Sequence, residues 1–131
     1  MGLNSIEIKI VEYKEDPRDY YTFVVVCDVN GPGTKSDSVN VYFAEEFVER
    51  YFRIRWHQDY YKQQKELFEK KRDFFINVAV IKIEEYIKSG RREDNIFVEY
   101  EEDMKWAKQI EKGIKKPVSS CVGQDKFSYL I

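Results

Sequence analysis

A chain of 131 residues, 43% hydrophobic and 16% aromatic, is long enough to bury a core and too apolar for a disordered segment. Its 22 basic and 24 acidic residues are interspersed and leave a net charge of −2, which excludes whole-molecule steering toward nucleic acid or an anionic membrane. Two cysteines, Cys27 and Cys121, make no disulfide framework, and no run approaches the roughly 18 apolar residues of a membrane span.

The chain reads as one α+β domain over 1–131. Ile6, Ile8 and Ile10 alternate with Glu7 and Lys9, the period of a half-buried strand over about 5–13. A polar stretch with Pro17 leads to a β-branched and aromatic strand over 20–29, whose unbroken Val run suits burial on both faces. The segment from Asn30 to Asp37 is dense in turn formers and reads as an exposed loop. Val39, Val41 and Phe43 then alternate in a third strand over 38–43, and the short connections predict a three-stranded antiparallel meander.

The period next becomes helical. In a helix over 44–55, Phe47, Val48, Tyr51, Phe52 and Ile54 form one stripe, and a break is expected near Arg55–Gln58. Asp59 is a plausible cap for a long helix over 59–89 that stops at Ser89-Gly90. Its second half is the most informative stretch of the chain. Projected at about 100° per residue, Asp73, Asn77, Glu84 and Lys88 share one narrow polar sector, and apolar residues from Phe74 to Ile87 fill most of the remaining circumference. A helix of that kind must be covered on several sides. A strand over Phe74–Ile83 is the competing reading, because the piece is rich in β-branched residues. The charged first half, Tyr60–Arg72, is expected to project as an arm.

A short strand over 96–100 follows. An amphipathic helix over 101–116 carries Trp106, Ala107, Ile110 and Ile114 on one face, with an acidic start and a basic end that complement its dipole. In the tail, 117–131, the last apolar group from Phe127 to Ile131 docks as an edge strand or frays. The expected architecture is thus the meander packed on a long central helix, with a further strand and a C-terminal helix.

Motifs that carry chemistry are weak. Gly31-Pro-Gly-Thr-Lys-Ser36 echoes a phosphate loop, but Thr34 precedes Lys35 and a strand follows instead of a helix. Glu7-Ile-Lys9 has a nuclease-like spacing but no acidic residue upstream. His57, the single histidine, lies two residues from Asp59 without a nucleophile at recognisable spacing. Glu99, Glu101, Glu102 and Asp103 cluster four carboxylates without the spacing of a calcium loop. Cys121 has no neighbouring charge to activate it. No metal and no cofactor are expected.

The N-terminus lacks a basic-then-apolar signal pattern, so the expected compartment is the cytoplasm, with no membrane association. The leading expectation is a non-enzymatic protein-interaction module, of the kind found among regulators and inhibitors of phages and mobile elements. It would grip a protein partner through Arg53, Arg55, Trp56, His57, Tyr60 and Tyr61, where guanidinium and ring side chains adjoin the helix break. A homodimer through the apolar helix is one form of that expectation. The alternatives are a nucleic-acid binder using Arg50, Arg53, Arg55, Arg91 and Arg92, and a small-ligand binder or enzyme with a pocket between sheet and long helix, using His57.

Overall fold

The computed structural model describes residues 5–15, 21–31, 37–54, 60–91 and 93–130; of Tyr21, Tyr61 and Leu130 the backbone alone is described. Among these residues the chain is mixed α+β, with a six-stranded sheet and four helices. The elements are β1 (Ser5–Glu15), β2 (Tyr21–Asn30), β3 (Asp37–Ala44), α1 (Glu45–Phe52), α2 (Tyr60–Lys70), α3 (Arg72–Lys88), β4 (Asn95–Val98), α4 (Tyr100–Glu111), β5 (Ser120–Gly123) and β6 (Lys126–Leu130).

The strand order is β4-β3-β2-β1-β6-β5, antiparallel except where β4 lies parallel to β3. One face of the sheet is almost entirely apolar. Ile8, Phe23, Val25, Cys27, Val41, Phe43 and Val98 are each 0% exposed. A bulge between Ile10 and Glu12 shifts the alternation of β1, so that Tyr13 faces inward opposite Val25. There the Tyr13 ring stacks on Phe68 of α2, with centroids 4.3 Å apart, and its hydroxyl donates to the Phe68 carbonyl at 2.6 Å.

The helix read as one element over 59–89 is two. The ladder runs through the junction, with Lys71 N–H donating to the Leu67 carbonyl and Phe75 N–H to the Lys71 carbonyl. Lys71 itself leaves helical geometry, at φ −103° and ψ 24°. The expected projecting arm is also corrected. Phe68 packs against both Tyr13 and Phe23, and this aromatic contact lays α2 against the sheet.

The stretch 74–83 is helical. Phe74, Phe75, Ile76, Val78, Ala79, Val80, Ile81 and Ile83 of α3 are all buried. Phe75 meets Phe23 and Phe43 edge-on, while Phe74 meets Tyr51 and Phe52 of α1. The cover on the remaining side is α4, through Ala107 and Ile110.

Glu84, from the polar sector of the long helix, and Asp103, from the acidic start of the last helix, are buried anchors. Glu84, 5% exposed, accepts hydrogen bonds from Val118 N–H at 2.9 Å, from Ser119 N–H at 2.8 Å and from the Ser119 hydroxyl. It thereby ties the chain after α4 back onto α3. Asp103, 3% exposed, accepts from Lys82 Nζ at 3.0 Å, Trp106 Nε1 at 2.8 Å and Glu99 N–H at 2.9 Å. Removing one member of such a buried pair typically costs about 3–5 kcal/mol, because the other charge is left uncompensated.

The C-terminal region departs furthest from expectation. Helix α4 stops at Glu111, five residues early, and Gly113 follows at φ 75°. This left-handed position suits glycine and ends the helix. Ile114, assigned from the sequence to the packed face, is 74% exposed. Beyond it, β5 and β6 form a hairpin with Asp125 at φ 59° in its turn. β6 is an inner strand, pairing Phe127 with Ile8, and β5 takes the edge. A bidentate pair from Arg72 to Asp125, at 2.7 and 3.2 Å, ties the turn to the start of α3.

Candidate functional site

Of the residues expected to form a partner surface, Arg55, Trp56 and His57 lie outside the described residues, as does Arg92. Tyr61 lies in α2. Arg53 is exposed and occupies the left-handed region, at φ 58° and ψ 38°, directly after α1. There its N–H bonds the Glu49 carbonyl and Ile54 N–H does the same at 2.9 Å, which closes the helix. Tyr60 is 1% exposed, with its hydroxyl within hydrogen-bonding reach of Glu45 and Glu49 and accepting from Gln64 Nε2 at 2.9 Å. Burial, reinforced by those two carboxylates, pushes its phenol well above the ordinary range. Tyr60 therefore anchors the start of α2 to α1.

Two of the arginines expected to meet a polyanion, Arg50 and Arg91, are held by neighbours. Arg50 pairs with Glu46 at 2.9 Å and lies 4.1 Å from the centroid of the Tyr100 ring on α4. Arg91, after α3, pairs with Glu93 at 3.2 Å and lies 4.4 Å from the Tyr86 centroid. The E-x-K pair belongs to the sheet surface, with Glu7 3.9 Å from Lys126. Among the described residues no group of three or more His, Cys, Asp or Glu is placed to hold a metal ion. Cys27 is buried and Cys121 exposed, both as free thiols.

A concavity lies elsewhere, at the end of the sheet where β1 begins, β2 ends and β3 and β4 begin. It is a cleft of about 350 Å³ between that sheet end and the last turns of α3, within the size range of small-molecule sites. Ile6, Val29, Val39, Ile83, Ile87 and Ile96 give it apolar walls. Ile83 and Ile96 are 2% and 1% exposed and form its floor. Asp37, Arg91, Glu93 and Asp94, all exposed, stand at its mouth beside Tyr86 and Gly90.

Local structure explains the mouth. Helix α3 ends where Gly90, at φ 73°, turns the chain out, with Arg91 N–H bonding the Tyr86 carbonyl at 2.9 Å. The chain then enters β4, secured by Asn40 N–H on the Asp94 carbonyl at 2.8 Å. Parallel pairing of β3 with β4 brings Asp37 and Asp94 to the same end of the sheet. The sequence suggested a pocket between sheet and long helix, using His57, but singled out none of these apolar lining residues for it. Asn30–Asp37 reads as an exposed loop, and Ile83 and Ile87 belong to the apolar circumference of the long helix. The one available signal is that Asp37 and Asp94 each stand two residues before the first apolar residue of an alternating strand.

Compared with protein-family models, with curated proteins and with solved structures, the chain finds no match.

Proposed function

We propose that this chain is a non-enzymatic binding protein that receives a small, largely apolar ligand in the cleft between the sheet end and α3. The observation that carries this reading is the cleft itself, a cavity of about 350 Å³ with a buried isoleucine floor and charged groups confined to its mouth. Apolar walls supply affinity through desolvation, while a few placed polar groups orient what binds. Binding is favoured over catalysis because the described lining holds no Ser, Cys or His to act as nucleophile or near-neutral base, and its one guanidinium is paired to Glu93.

Methyl NMR tests it. Aryl-alkyl fragments should shift the Ile6, Ile83, Ile87 and Ile96 methyls and leave those of Ile8, Ile10 and Ile54 in place. The substitution Ile87→Trp should block the shifts by filling the mouth. Shifts spread evenly over all isoleucines would defeat the reading.

A protein partner at the joint after α1 is the second reading. It rests on Arg53, whose exposed side chain has no ion pair among the described residues. Affinity purification from the native host with wild type and Arg53→Glu tests it; a partner retained equally by both would count against this surface.

A further inference from the structure

The inward-facing rows of two neighbouring strands end in carboxylates. Along β3 the row runs Phe43, Val41, Val39 and then Asp37, and along β4 it runs Val98, Ile96 and then Asp94 just before the strand. Strand alternation puts Asp37 on the side of Val39, and the same alternation carried one step beyond β4 puts Asp94 on the side of Ile96. Both aspartates line the cleft with those apolar residues. Asn40 pairs with Asn95, so the two aspartate backbones lie roughly 8 Å apart, from one inter-strand spacing and two residues of rise. One small group can reach both.

Among the described residues, the charges at this mouth do not cancel. Among the described lining residues, Asp37, Glu93 and Asp94 face one cation, Arg91, which is already committed to Glu93 at 3.2 Å and to the Tyr86 ring. No ion pair engages Asp37 or Asp94 among the described residues. The end of α3 adds to the same sign. Its last turn supplies Tyr86 and Ile87 to the wall, so the negative end of the helix dipole lies at the cleft. Lys88 in that turn is exposed and does not line the cavity. An anionic ligand would have to displace Glu93 from Arg91 and sit beside two unpaired carboxylates. A cation meets two carboxylates that make no ion pair among the described residues.

We propose that the ligand of this cleft is a small organic cation: an aliphatic or aryl-alkyl body on the Ile83 and Ile96 floor, with a protonated amine held between Asp37 and Asp94. An ammonium offers three donors and matches two acceptor-only carboxylates. Its apolar body supplies most of the affinity, and the carboxylates supply the choice of head group. This deepens the binding role proposed above and rests on it.

Three probes of one tail separate the two ideas: 4-phenylbutylamine, 4-phenylbutanol and 4-phenylbutyrate, titrated against the intact protein at neutral pH with the isoleucine methyls as readout. The amine should bind about tenfold tighter than the alcohol, and the carboxylate weakest of all. The double substitution Asp37→Asn with Asp94→Asn, at exposed positions that leave the core untouched, should bring the amine to the affinity of the alcohol. Molar salt should narrow the gap in the wild type by screening the mouth. Equal binding of amine and alcohol, or tighter binding of the carboxylate, overturns the cation while leaving the cleft as a binding site. Failure of all three probes to move the Ile83 and Ile96 methyls at millimolar concentration overturns both.

Discussion

Helix α3 spans two ends of one core that are filled in different ways. At its N-terminal end the space between helix and sheet is taken by rings. Phe75 sits 4.9 Å from Phe23 and 5.0 Å from Phe43, and Phe68 lies 5.1 Å from Phe23. At its C-terminal end the facing side chains are Val29, Val39 and Ile96 from the sheet and Ile83 and Ile87 from the helix, and a cleft of about 350 Å³ remains. Branched aliphatic side chains are shorter than benzyl groups, so a helix held off the sheet by rings at one end leaves a gap where only Val and Ile face it. The choice between rings and branched aliphatics, on one helix and one sheet, separates closed core from open site.

Truncation gives the largest test of that contrast. Phe75→Ala removes a fully buried ring and should cost about 3–5 kcal/mol in chemical denaturation. Ile87→Ala, at a half-buried wall beside space already empty, should cost about 1 kcal/mol or less. Similar losses at both sites would mean that the open end is packed as tightly as the closed one.

Cys27 offers a titration between the two ends, since it pairs across the strands with Ile10 and Val39. Burial, with a lesser contribution from the Asp28 carboxylate, pushes its thiol from an ordinary 9.0 up to about 12. The folded chain keeps this proton where the unfolded chain releases it. Below pH 9 the thiol is neutral in both states and its contribution is fully present. From pH 9 to 12 it should fall by about 1.4 kcal/mol per unit. Tyr13, Tyr51 and Tyr60, raised mainly by burial, act with the same sign, so Cys27→Ala should remove its own share of the slope and no more. In thiol labelling at neutral pH, Cys121 should react at once and Cys27 at the rate of opening. Rapid labelling of Cys27 would show that the cleft end breathes independently of the ring-filled end.

The smallest effect comes from adding volume. Val25→Leu, beside the rings, should cost about 1–3 kcal/mol through overpacking. Val39→Ile, on the cleft wall, should be neutral or stabilise by about 1 kcal/mol, read as a shift in denaturation midpoint. A cost at both positions would sharpen the comparison by showing that the cleft walls are themselves rigid.

What could be read from the chain alone is what local periodicity encodes. The Ile6, Ile8 and Ile10 alternation and the Val run of β2 form strands, and the apolar circumference from Phe74 to Ile87 forms a covered helix, because each side chain's burial follows from its position within its own element. Periodicity says nothing where a residue's role depends on a distant segment. Periodicity put Glu84 in a polar sector and Asp103 in an acidic helix start, and both are buried because the 118–119 backbone and Lys82 come to meet them. The ladder partners of β4 and β6 lie tens of residues away in the chain, so no local pattern could place β4 parallel to β3 or seat β6 beside β1. Of the cleft, the chain alone offered only the alternative of a pocket between sheet and long helix, tied to His57. Its walls are core residues by every local criterion, its mouth is two polar turns, and it exists only because parallel pairing brings Asp37 and Asp94 to one end of the sheet under the last turns of α3. Periodicity assigns a side chain to a face of its element; which face meets which, and where they fail to meet, is decided by long-range packing.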